Sequence, residues 1–213
     1  GSHQCNVSRA THDSWAETLE WLTAIEKGQV KCSTVVIDSI TKLESISHAD
    51  FFPGTSIDAF MGGYNRGDTH SLMRWHELLG QLDRLWLSGK GVVLVAHANV
   101  KTFNDPSGPS YDRFVVGVRP SLAGLLRQQS DYVFFCREDV IMAGKIENGK
   151  GRATTTGTRW AYTRRTPAYD AKARGESVFP EKFLLSWDEF SKAIAEEIAR
   201  SDELTLSLGL MHE

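Results

Sequence analysis

The run Thr34-Val35-Val36-Ile37-Asp38-Ser39 constrains this chain more than any other stretch. Three consecutive β-branched aliphatics bounded by polar residues predict a short strand buried on both faces of a sheet. Asp38 has no place inside an apolar sheet, so it must stand where the strand leaves the core, at its carboxyl end. In open α/β sheets that edge is where ligands bind. A carboxylate there can hold magnesium, directly or through water, beside the phosphates of a nucleotide. A plain strand ending in a turn-forming Asp-Ser pair explains the same residues without any ligand.

A second apolar run, Gly91 to Ala96, stops at His97-Ala98-Asn99, and a third spans Asp131 to Arg137. Helical patterns separate them. Ser14 and Glu17 have capping-box spacing ahead of an apolar face of Trp15, Leu19, Leu22 and Ile25, with Gly28 as the stop. Thr69 to Ser88 carries Leu72, Trp75, Leu79, Leu82 and Trp86 at helical spacing, and Pro120 to Gln129 reads as a short helix. Ser39 to Asp68 shows little periodicity and reads as a long irregular connection, and Val100 to Arg119 as a polar loop. Beyond Arg137 the texture becomes β-like, with a hairpin signal at Asn148-Gly149. Ser186 to Arg200 reads as a closing helix with its own capping box at Ser186 and Glu189 and a stripe of Phe190, Ile194 and Ile198.

Strands alternating with helices predict an α/β fold: a mostly parallel sheet flanked by helices, followed by an antiparallel β extension. With 213 residues, 41% of them hydrophobic, the chain suits one domain, 1–213, with 138–185 as extension and 186–200 as closing helix. A net charge of −3 gives no global nucleic-acid signal, so any such surface must be local. The cysteines Cys5, Cys32 and Cys136 form no C-x-x-C pair and suit reduced thiols in the cytoplasm. No run is long enough to cross a bilayer, and no signal peptide is present, so no membrane partner is expected.

In this topology Asp38 and His97 share one rim of the sheet. A neutral imidazole both donates and accepts, which suits a residue that contacts a γ-phosphate or an attacking water and passes the outcome to the loop that follows. A hydrogen-bonded histidine at a strand end fits the spacing as well. In that following loop Phe103, Tyr111 and Phe114 lie among Lys101 and Arg113, a mixture that stacks bases and neutralises the backbone of single-stranded nucleic acid. Phe51, Phe52, Tyr64 and Arg66 form a weaker version. Aromatics folded back onto the core are the competing explanation for both loops. Lys150, Arg152, Arg159, Arg164, Arg165, Lys172 and Arg174 make a local basic cluster. It could reach a neighbouring subunit's triphosphate, bind nucleic-acid phosphates, or be a solvated face.

TVVIDSITKLE, then VVLVAHANVKTFNDPSGPSYDRF, SDYVFFCRED and RRTPAYDAKAR, taken in order, resemble the phage-type AAA ATPases with a RecA-like core. These are single-strand-annealing recombinases related to RecA and RadA. The most specific runs are His97–Lys101, Asp105–Arg113 and Pro167–Lys172. The resemblance implies a P-loop NTPase core with Asp38 as Walker B carboxylate, Ser39 as its hydroxyl neighbour and His97 at the sensor position. It further implies that Asn99 to Val118 and Phe51 to Arg66 are DNA-binding loops, and that Lys172 and Arg174 belong to the nucleotide site. ATP, Mg2+, single-stranded DNA and a ring or filament of identical subunits follow from it. No G-x-x-x-x-G-K-[ST] run occurs. On the resemblance, Gly1 to Arg9 would follow a second strand that comes after the phosphate loop, so that loop and the water-activating glutamate would both precede Gly1, unless Gly1-Ser2-His3 is a tag remnant. The expectation is weak ATP binding and little hydrolysis by this chain alone. Two alternatives remain: a non-catalytic DNA-binding or assembly protein on the same core, and an unrelated α/β enzyme of hydrolysis or methyl transfer. The latter lacks any supporting Gly-x-Ser-x-Gly or Gly-x-Gly-x-x-Gly motif.

Overall fold

The structure is a computed structural model that describes residues 7–147, 150–173, 179–196 and 199, with the side chains of 142–152 outside the description. The expected role of Arg174, the Asn148-Gly149 turn and the helical position of Ile198 lie outside the described residues. The chain divides into two compact units, one of Gly1–Asn99 with Val116–Leu126 and one of Val100–Val115 with Arg127–Glu213.

The first unit is built on a parallel pair, β1 (Thr34–Asp38) and β2 (Gly91–Val95), in the register Val35↔Val92 to Asp38↔Val95. Helices α1 (Trp15–Glu26), α2 (Ile40–Phe51) and α3 (Arg66–Leu87) supply its core, with the first part of α4 (Pro120–Gln129). Ser14 caps α1 by accepting from the Glu17 amide, and Glu17 reaches back to the amide of Asp13 rather than to that of the cap residue. Trp15, Leu22 and Ile25 are buried against Trp75, with the Trp15 and Trp75 rings edge to face at 5.1 Å.

Three expectations are corrected here. The stretch after Ser39 is not irregular, because α2 occupies twelve residues of it. Its buried positions Ile40, Leu43, Ser47 and Phe51 follow helical spacing, but Ser47 replaces an apolar residue and conceals the stripe. In α3 the buried stripe runs through Trp75, Leu78, Leu79, Leu82 and Leu85, which turns Trp86 out to solvent. The strands are not buried on both faces. Val35, Ile37, Val92 and Leu94 face the helical core, whereas Val36, Val93 and Val95 are 56%, 43% and 39% exposed.

In the second unit, β3 (Ala98–Phe103, its first two residues in the other unit) and β4 (Tyr111–Val116) form a two-stranded sheet across the stretch expected to be a loop. β5 (Phe135–Glu147), β6 (Lys150–Tyr162) and β7 (Lys182–Leu184) form a three-stranded antiparallel sheet. The pairing Glu147↔Lys150 brackets the expected turn. Ala161, Phe179, Phe183 and Ala193 make a second small core with Tyr132, Phe134, Phe190 and Ile194 around it. The closing helix covers 187–196, and Ser186 accepts from the Glu189 amide at 3.3 Å as its cap. The fold is thus mixed α/β with one parallel pair and antiparallel strands, an arrangement compatible with a P-loop NTPase. Among the described residues the parallel component is this single strand pair and one isolated bridge, Phe114↔Tyr169.

Candidate functional site

Parallel pairing brings the sequence candidates of the first unit to one edge. Asp38 lies opposite Val95 in the ladder, so His97 stands two residues beyond it on the same rim. Both are exposed. The peptide between Asp38 and Ser39 is cis. Ser39 is buried, and its hydroxyl accepts from the Lys42 amide at 3.3 Å as the N-cap of α2. That hydroxyl is engaged by the helix it starts.

Two residues that the sequence did not single out hold His97. Its amide donates to the Thr41 hydroxyl at 3.1 Å, in the first turn of α2. Its carbonyl accepts from the Gly117 amide at 2.7 Å. A Cβ on Gly117 would stand 2.9 Å from that carbonyl oxygen and 3.4 Å from the side-chain Nδ2 of Asn99, so only glycine fits without a shift. Two residues on, the Arg119 amide donates to Glu44 at 2.9 Å, and its guanidinium bonds Asp58 at 2.8 Å and Asp68 at 3.2 Å. Burial alone would lower the Arg119 pKa; Asp58 and Asp68 more than offset this and raise it. Its charge is held firmly. No motif flagged Arg119; a lone arginine before a proline gives no local signal of partners 51 and 61 residues away.

Asp58 and Asp68 flank a strained tip. Met61, Tyr64 and Asn65 have φ of 50°, 53° and 60°, and Gly62 and Gly63 between them are also left-handed at 83°. Tyr64 is 93% exposed. Arg66 donates to the Met61 carbonyl at 2.7 Å and closes the tip. Phe51 and Phe52, by contrast, are buried and pack on Trp15 and Phe60, so the core explanation holds for them.

In the second unit β3 is exposed along its length, including Lys101. Phe103 and Tyr111 face each other at 5.4 Å, and Thr102 donates to Asp112 at 2.6 Å across the strands. Arg113 lies elsewhere than a backbone-neutralising cation would. It is 8% exposed, 2.8 Å from Asp170, with its guanidinium 5.8 Å from the Phe103 ring centroid. Phe114 packs on Phe135 at 5.0 Å. Lys172 donates to the carbonyls of Arg127, Gln128 and Ser130 at 2.9, 3.3 and 2.7 Å, so its three protons hold the end of α4.

Magnesium beside a nucleotide takes one or two protein carboxylates and completes its shell with phosphate oxygens and water. Asp38, exposed at a strand end, meets that demand as a single ligand. No cluster of three or more His, Cys, Asp or Glu residues able to hold a metal by themselves occurs among the described residues. Nor is any helix among them long and apolar enough to cross a membrane.

A family model described as an AAA domain matches residues 1–175. No curated protein and no solved structure matches the chain.

Proposed function

From the premise that this chain belongs to the AAA domain family, over residues 1–175, a family that implies nucleotide binding, usually with Mg2+, we propose that it acts in ATP-linked DNA recombination and binds single-stranded DNA. In this reading Asp38 holds magnesium, directly or through water, and His97 contacts the terminal phosphate or the attacking water. One observation supports it above the others: the chain runs from His97 directly into β3, which is exposed along its length and carries Lys101 and Phe103, with Tyr111 of β4 against Phe103. Nucleotide state at the rim would then be felt by the strand that contacts DNA. Identical subunits in a ring or filament would set nucleotide between neighbours.

A second reading, a DNA-binding or assembly protein on the same core without catalysis, is favoured by the lack of a G-x-x-x-x-G-K-[ST] run in these residues. Fluorescence anisotropy with a labelled oligo-dT separates the two. Salt-sensitive binding that weakens in Lys101→Ala and tightens with Mg-ATP supports the ATP-linked reading. Binding indifferent to Mg-ATP supports the second. No binding at low salt would discard both.

A further inference from the structure

Asp170 lies among three guanidinium groups of the second unit. Its carboxylate is 2.8 Å from Arg113 Nη2, 3.2 Å from Arg165 Nε and 3.6 Å from Arg127 Nη1. These residues come from β4, the segment after β6 and the end of α4. The backbone brings them together through the Phe114 amide on the Ala168 carbonyl at 2.7 Å and a bridge between Phe114 and Tyr169.

The three arginines differ in need. Arg113 is buried, and a buried guanidinium without a carboxylate is strongly unfavourable, so Asp170 is committed to it first. The Nε of Arg113 is buried with no hydrogen-bond partner. Arg127 and Arg165 are 49% and 65% exposed. They keep free edges of their planar forks and share a carboxylate already engaged. One carboxylate does not balance three guanidiniums, and the two outer arginines, both solvent-exposed, reach the same Asp170 side chain. A phosphate group offers enough oxygens for two arginine forks at once, each of which fits it bidentately.

We propose that Arg127 and Arg165, fixed beside buried Arg113 and its partly exposed partner Asp170, form a receptor for a phosphate group. Lys172 is excluded from it, because its protons are taken by three carbonyls. The site goes beyond the nucleotide rim and does not depend on Asp38 or His97. A phosphodiester of single-stranded DNA and a free phosphate compound are the two sources that the chemistry admits.

Titration calorimetry with inorganic pyrophosphate at low chloride tests the site on the whole chain, and anisotropy with oligo-dT tests the source. The wild type should bind pyrophosphate, and Arg74→Gln, in the other unit on an exposed pair with Glu77, should bind it equally. Arg127→Gln/Arg165→Gln should weaken it at least tenfold while the ligand-free Tm stays unchanged, since neither side chain is buried. Should the double variant lose folding, phenylglyoxal labelling of the wild type decides instead. Pyrophosphate should then protect Arg127 and Arg165 from modification. Undiminished pyrophosphate binding in a folded double variant overturns the proposal, as does no protection or no binding by the wild type. Loss of oligo-dT binding in the double variant identifies the phosphodiester as the source. Unchanged oligo-dT binding with lost pyrophosphate binding identifies a free phosphate compound. Failure of the DNA reading alone, seen as no oligo-dT binding by any variant, leaves the pyrophosphate result standing.

Discussion

The His97 carbonyl and the Gly117 amide are joined by a 2.7 Å hydrogen bond, at a point where a Cβ on Gly117 would stand 2.9 Å from the same oxygen. The strand end that carries the sensor candidate is therefore held by a residue twenty positions later. Gly117→Ala must push the two backbones apart. We expect a loss of about 1–3 kcal/mol in urea unfolding. His97→Ala keeps the backbone bond and should leave stability within about 0.5 kcal/mol. Equal losses in both variants would show that the imidazole, not the backbone contact, holds this rim.

Lys101 and Arg113 looked alike in the sequence and should behave oppositely in solution. Lys101 is exposed on β3, so Lys101→Ala should leave Tm unchanged and reduce the salt slope of oligo-dT binding by about one. Arg113 is buried on Asp170 and under Phe103. Arg113→Ala should cost roughly 2 kcal/mol of stability, less than a fully buried pair because Asp170 retains two other arginines. An Arg113→Ala chain as stable as the wild type would overturn the buried placement.

The outward face of the β1–β2 pair carries Val36, Val93 and Val95, all substantially exposed. An apolar β face open to water favours association. Sedimentation of the chain should be concentration-dependent, and Val36→Thr/Val93→Thr should shift it towards monomer. A sharp monomer at every concentration would argue that this face carries no such tendency.

Asp105 offers a pH test. The Ser107 hydroxyl and then the Ser107 amide bond its carboxylate and hold its pKa below the ordinary 3.8. A carboxylate depressed in the folded state stabilises above its unfolded pKa, and that contribution disappears as pH falls below 3.8 through the lower folded value. NMR titration should find the Asp105 midpoint below 3.8 and moved upward in Ser107→Ala. Above that window the turn at 105–108 should be insensitive to pH.

Much of the site was written locally. The capped starts of α1 and the closing helix, at Ser14 and Ser186, depend on hydrogen bonds three residues apart. Asp38 and His97 were legible because a polar residue ending an apolar run can only stand at a strand tip. The helix α2 was not legible, since serine fills a buried position of its stripe. The exposed tip at Tyr64 was named only for its composition, because left-handed φ at Met61, Tyr64 and Asn65 leaves little trace in residue type.

By itself, then, the sequence determined the carboxyl ends of β1 and β2 and the helices α1, α3, α4 and the closing one, but not α2, β3 or β4, because the former rest on contacts within a few residues or on simple periodicity. Tertiary structure decided which of the similar side chains face water. Arg113 and Lys101 have the same charge and neighbourhood, yet Asp170, 57 residues downstream, draws one into the interior. Arg119 gains its role only when Asp58 and Asp68 are brought to it. Long-range pairing sets desolvation and charge compensation together, and neither can be read from the residues adjacent in the chain.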